Sequence, residues 1–322
     1  MVAPDSLGPT LCLGEILVEI VASEPGYGFT EPLDLIGPFP SGAPAIFIDQ
    51  CARMGCRAAM IGAVGQDDFG RVCIERLARD GVNISAIASI PELPTGTAFV
   101  RYRPDGERDF VFNMWTSAAG RLSWNPAVEQ VVARSGHLHV MGTLLSNPVV
   151  WPIIDRAAAI IKKRGGSISL DPNIRKELCS DTETQDRFDA LLTKTDVLLP
   201  SGDELLAISG FANEALAVEN FLSLGIAEVV VKRGAEGSTA YTANGDALSQ
   251  PAFAVKEVDP TGAGDCFGGA YIAARRLGSD IKTALRYAAS AGARNVTYRG
   301  PMEGAGTRAD LDAFIEQNGP RA

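Results

Sequence analysis

The run from Val258 to Ala270, Val-Asp-Pro-Thr-Gly-Ala-Gly-Asp-Cys-Phe-Gly-Gly-Ala, gathers the residues best suited to chemistry. Gly262 and Gly264 permit backbone conformations closed to other residues. They precede a stretch of small and apolar residues, Cys266 to Leu277, that reads as a helix stopped by Gly278. Such a turn bares the amides of Gly262, Ala263 and Gly264 at a helix amino end. Unpaired donors and the helix dipole both favour an anion there, and a phosphate is a natural occupant. Asp265 stands beside that site. Kept ionised by the helix end, it is a weak base for an acceptor hydroxyl, which suits a reaction catalysed mainly by positioning and electrostatics. A plain glycine-rich loop before a helix would look similar, so the rest of the chain has to decide. No Gly-Lys-Ser/Thr occurs, which excludes a Walker loop. The spacing Gly262-x-Gly264-x-x-Phe267 misses the dinucleotide fingerprint at its third position, which counts against a Rossmann dehydrogenase.

The elements that must position this segment form a regular alternation. His137–Gly142, Ser167–Asp171, Asp196–Pro200 and Glu228–Gly234 read as strands. Helices are expected from Asn147-Pro148 to Gly165, over 184–193, from Asp203, and over 213–224. Strand–helix alternation predicts an α/β fold with a mostly parallel sheet covered on both faces. Gly142-Thr143, Asp171-Pro172-Asn173, Ser201 to Glu204 and Lys232 to Gly234 then lie at strand carboxyl ends, where open α/β sheets bind ligands. The first half is different. Gly14–Val21 and Thr97–Trp115 are β-rich, the latter with a hairpin turn at Pro104-Asp105-Gly106. Between them a helix at 43–54, a strand at 58–62 and a helix at 67–80 are expected. Two β segments flanking an α/β block predict a small sheet projecting as a lid, about 16–41 and 94–116, on one domain spanning 1–322.

Bulk properties narrow the function. The 322 residues are 46% hydrophobic and 21% charged, ordinary values for a globular chain. A net charge of −10 argues against nucleic acid as a partner. Cys12, Cys51, Cys56, Cys73, Cys179 and Cys266 include no Cys-x-x-Cys pair and read as core thiols of a reducing compartment. His137 and His139 alternate along a strand and read as sheet residues rather than a metal pair. The first ten residues lack a secretory pattern, and no apolar run reaches the roughly 20 residues that span a bilayer. The expected location is the cytoplasm, without membrane partners.

Asp259 to Gly269 resembles the carboxyl-terminal signature of the ribokinase-like (PfkB) carbohydrate kinases. Pro40-Ser-Gly-Ala-Pro44 resembles their amino-terminal sugar loop, and Gly62 to Gly70 their next landmark. Asp171-Pro-Asn-Ile-Arg175 resembles a stretch of the 2-keto-3-deoxygluconate and fructose kinase branches, and Val231 to Gly237 the nucleotide-proximal strand and turn. The resemblance implies a three-layer ribokinase-like fold and an ATP- and Mg²⁺-dependent sugar kinase, with K⁺ as a further ion near Asp259 and Thr261. It implies Asp265 as base and the amides of Gly262, Ala263 and Gly264 as anion hole. Lys232, Gly234, Gly237 and Thr261 would lie near ATP, and Glu204 would reach Mg²⁺ through water. Glu19, Gly42, Ala43, Phe112, Asn113, Arg175 and Asp265 would face the sugar, and the lid would make a homodimer contact. Two positions depart from the pattern: Ile46 and Ser201 each replace an expected Asn.

The lid bears on the substrate. Tyr102 to Leu122 resembles the lid of 2-keto-3-deoxygluconate kinases, which grip a carboxylate with an Arg shortly before a Ser-Ala pair. Aligned on Ser117-Ala118, that position holds Met114, which cannot pair with a carboxylate. A neutral ketohexose phosphorylated on a terminal hydroxymethyl group is therefore expected, tagatose first and fructose next. A 2-keto-3-deoxygluconate kinase, a nucleoside kinase stacking a base on Phe112 or Trp115, and a non-catalytic sugar-binding regulator are the alternatives.

Overall fold

A computed structural model describes residues 1–173 and 182–320 of the chain, so Arg175 lies outside the described residues. The amino-terminal half runs β1 (Thr10–Leu13), β2 (Leu17–Ala22), β3 (Leu35–Ser41), α1 (Ala43–Arg53), β4 (Ala58–Gly65), α2 (Asp68–Arg79), β5 (Val82–Ile90), β6 (Gly96–Tyr102), β7 (Arg108–Asn113) and α3 (Pro126–Arg134). Next come β8 (His137–Met141), α4 (Trp151–Lys163), β9 (Ser167–Asp171), α5 (Thr182–Leu192), β10 (Val197–Leu198), α6 (Gly202–Ser209), α7 (Glu214–Ser223) and β11 (Glu228–Lys232). The chain closes with β12 (Ser238–Thr242), β13 (Ala247–Gln250), α8 (Ala263–Arg276), α9 (Ile281–Asn295) and α10 (Arg308–Gln317).

Among the described residues the large sheet has the order β13-β12-β11-β10-β9-β8-β1-β4-β5. It is parallel from β11 to β5, and β12 and β13 close one edge antiparallel. Parallel strands covered on both faces are buried along their length, and any polar side chain in them needs a partner. Accordingly β4, β8 and β9 are buried at every position. The core runs through both sides of the sheet, from Leu11 and Phe47 to Val230 and Tyr271. His137 and His139 belong to it. Both are fully buried, and their ring nitrogens bond Ser167 and Ser169 at 2.7–2.8 Å. Burial pushes both well below the ordinary histidine range, so they are neutral sheet residues.

The second sheet has the order β3-β2-β6-β7 and is built from the two stretches expected for a lid. β2 and β6 pair in parallel, and hairpins add β3 and β7 antiparallel. The β6–β7 turn is the expected Pro-Asp-Gly turn, with Gly106 donating to the Arg103 carbonyl at 3.0 Å. α4 differs from the reading of the sequence. It begins at Trp151, because a 3₁₀ turn at Gly142–Ser146 comes first and the Asn147 side chain accepts from the Val149 amide at 2.9 Å. Asn147-Pro148 is thus an approach to the helix, not its first turn.

Candidate active site

Gly262 has φ +79 and caps α8, whose first residues are Ala263, Gly264 and Asp265. A Cβ on Gly262 would meet the Pro301 carbonyl oxygen at 2.4 Å, so only glycine fits. No side chain caps this helix, and the Ala263 amide makes only a long bond to the Pro260 carbonyl, at 3.4 Å, so this helix end suits an anion. The turn is anchored from several directions. Asp259, buried, accepts from the Thr261 and Gly300 amides, each at 3.0 Å. The Asn295 amide at the end of α9 donates to the Thr261 carbonyl at 2.8 Å.

Lys232, the last residue of β11, brings a cation to this turn. Its ammonium lies 3.8 Å from where a Cβ on Gly264 would stand. It donates to Asp171 Oδ2 at the end of β9, at 2.5 Å. Burial opposes the Lys232 charge, but Asp171, Glu204 and Asp265 outweigh it and hold the group above its usual range. Asp171 is pushed up to about 6: burial raises it further than Lys232 lowers it, and Glu204 adds to the rise. Three carboxylates therefore act on one cation beside this helix end, Asp171 in contact and Glu204 and Asp265 through their charge. The sequence alone does not single out Asp171 as a site residue. The signal is its place at the carboxyl end of a buried strand, two strands from Lys232.

Glu204 sits in the first turn of α6. Its carboxylate accepts from the Ser201 amide at 2.7 Å, and Ser201 Oγ accepts from the Glu204 amide at 3.3 Å. Ser201, where an Asn was expected, thus completes a capping box. Gly234 and Gly237 shape the turn from β11 to β12, directly after Lys232. Arg233 turns aside to pair with Glu214.

Gly42 and Ala43 start α1 opposite the small sheet. Gly42 has φ +109, and a Cβ there would stand 2.5 Å from the Glu15 carbonyl oxygen. Ile46 is buried in the core and offers no polar contact. Glu19 is buried on β2 and accepts from Ser41 Oγ at 3.5 Å. Strand pairing puts Glu19, Ala98 and Phe112 in register, on one face of the small sheet. Tyr102 and Arg108 share that face, and both reach Thr261 Oγ1, at 2.8 and 3.4 Å. This face therefore looks toward the α8 turn. Phe110 and Phe112 stack on it with ring centroids 5.1 Å apart. Asn113 falls on the opposite face. Its amide donates to Thr97 at 3.3 Å and lines an open cavity of about 570 Å³ with Asp68 and Phe69. The structure thus gathers Lys232, Thr261, Gly262, Ala263, Gly264 and Asp265, orients Glu19 and Phe112 toward them, and leaves Asn113 outside.

Comparison with known proteins fits this arrangement. Residues 11–308 match the model of the pfkB family carbohydrate kinases. The 2-dehydro-3-deoxygluconokinase of Thermoproteus tenax is 31% identical, over 91% of this chain and 90% of its own. A candidate ribokinase II of E. coli, solved with ATP and Mg²⁺, is 45% identical with a TM-score of 0.90, over 97% of this chain and 100% of its own. A Vibrio cholerae fructokinase double mutant, solved with fructose, ADP and potassium, is 28% identical with a TM-score of 0.82, over 96% and 98%. The chain belongs to the pfkB carbohydrate kinases and is a phosphotransferase acting on a sugar hydroxyl.

Proposed function

We propose that the enzyme transfers the terminal phosphoryl group of ATP to a terminal hydroxymethyl group of a neutral ketohexose, tagatose or fructose. The observation that carries this reading is the face of the small sheet turned toward Asp265. It presents buried Glu19 with Phe110 and Phe112, while its cation, Arg108, reaches Thr261. A buried carboxylate accepts hydroxyl donors and repels a sugar acid, and aromatic faces pack on the C–H side of a neutral sugar. Met114 adds no charge there.

In this reading the ketose lies between Glu19, Phe112 and the start of α1 at Gly42 and Ala43. Asp265 takes the proton of the attacking hydroxyl. The amides of Gly262, Ala263 and Gly264 hold the phosphoryl oxygens as charge shifts onto them, and Lys232 neutralises the same oxygens. Thr261, Gly234 and Gly237 line the nucleotide side. Among the described residues no three His, Cys, Asp or Glu close into a metal cage. Such a donor set suits Mg²⁺ carried on phosphate oxygens and reached by Glu204 through water. Arg175 is retained as a sugar contact on sequence grounds.

The small sheet acts as a lid that excludes water from the transfer. Its other face exposes Leu35 and Val111, each 45–46% exposed, which supports a homodimer through the lid. Five described cysteines are free and buried, which supports a reducing cytoplasm. No described helix is long and apolar enough to cross a membrane.

The relative that acts on 2-dehydro-3-deoxygluconate keeps a sugar acid as the second reading. A coupled assay over neutral ketoses, alditols, sugar acids and nucleosides separates them. Tagatose or fructose should exceed 2-keto-3-deoxygluconate in kcat/KM by at least about tenfold. The reverse order would overturn the substrate assignment and leave the kinase intact.

A further inference from the structure

We propose that Tyr102 is a positioning residue that ties closure of the small sheet to the setting of the phosphate-binding turn. The inference rests on reading that turn as the phosphoryl-transfer centre. Tyr102 ends β6, on the face turned toward α8. Its hydroxyl donates to Asp259 Oδ1 and lies 2.8 Å from Thr261 Oγ1, so one phenol joins residues 157 and 159 positions away in sequence. Arg108, directly across the hairpin from Tyr102, reaches the same Thr261 hydroxyl.

Both partners stand at the entrance to the anion hole. Thr261 immediately precedes Gly262, whose left-handed backbone aims the amides of Ala263 and Gly264. The Gly300 and Asn295 contacts hold this turn from the main body. The Tyr102 contact exists only while the sheet is down. Closing over a sugar therefore adds a charge-assisted hydrogen bond to Asp259 and fixes the Thr261 hydroxyl, one residue from the anion hole. Opening removes both. The device couples sugar occupancy to phosphate positioning and limits transfer to water when no sugar is present.

The test uses the full-length enzyme with ATP, Mg²⁺ and its best ketohexose. Tyr102→Phe keeps the ring and removes the donor, and Thr261→Val keeps the shape and removes its partner. Each should lower kcat about tenfold or more, the loss of one hydrogen bond to a charged group, and in Tyr102→Phe the KM for ATP should stay within about twofold. Amide hydrogen exchange gives a readout that lost packing alone would not produce. In the wild type, sugar should slow exchange over residues 259–264. In Tyr102→Phe that slowing should vanish while sugar still protects the small sheet. Wild-type kcat in Tyr102→Phe, or sugar protection of 259–264 preserved in it, overturns the proposal. If the wild-type turn gains no protection from sugar and nucleotide together, the reading of the turn itself fails instead.

Discussion

Lys232 carries its charge to the edge of the bared amides because Asp171 holds it there. The pair is legible only in part from sequence. Lys232 follows an apolar run and stands two residues before Gly234, the signature of a strand end. Asp171 likewise ends a strand, but nothing in one dimension says that two strand ends meet. Their meeting has a pH consequence. Asp171 titrates near 6 in the folded enzyme, against an ordinary 3.8, with Lys232, Glu204 and the Asn173 amide facing it. The raised value means that its protonated form favours the fold. That contribution is complete below about pH 4 and is lost as pH rises through 6. For catalysis the sign is opposite. Below about 6 the carboxyl takes a proton and Lys232 loses its counter-ion. The kcat profile should therefore show an acid limb near pH 6 in the wild type, and Asp171→Asn should lack it. An unchanged limb in that variant would separate Asp171 from the chemistry.

At the scale of elements, buried charge fixes how α1 and α2 meet. Arg76 of α2 is nearly buried. It bonds Asp49 of α1 at 3.0 Å, Asp80 at 2.6 Å and the Met302 carbonyl at 2.7 Å. Burial lifts Asp49 to about 7 against the pull of Arg76. This cluster ties α1 to the segment that also supplies Gly300. Arg76→Met keeps the stem and takes the ion-pair partner from buried Asp49, while Asp80 keeps Arg53 and Arg79. It should lower unfolding stability by about 3–5 kcal/mol, measured by urea denaturation, and a loss below about 1 kcal/mol would show that the cluster relaxes freely. The sequence shows α2 clearly, through its apolar stripe and the cap at Asp67, whose side chain accepts from Gly70 at 2.8 Å. It hides β3, because Gly37, Pro38 and Pro40 are strand breakers that survive on the edge of a small sheet. It also hides α9, whose buried face is built from small residues such as Ala288 and Ala291.

Across the whole molecule, the parallel sheet sets the site at its carboxyl ends, and in the proposed reading the small sheet decides what enters. The first was legible, because strand-end glycines and polar residues recur with each βα unit. The second was legible as two β segments but not as two faces. Face depends on register, and a one-residue difference separates Phe112, turned toward Asp265, from Asn113, turned away. Sugar identity sits at that same level. Glu19, Phe110 and Phe112 converge only after β2, β6 and β7 pair.

One substitution bears most directly on the phosphoryl-transfer centre. Asp265→Asn keeps size and position at the start of α8 while removing the base. Turnover with ATP and the best ketohexose should fall by about 10²- to 10⁴-fold, with calorimetric affinities for sugar and nucleotide preserved within about threefold. A rate within about threefold of the wild type would contradict the assignment of Asp265, and with it the mechanism built on the turn before it.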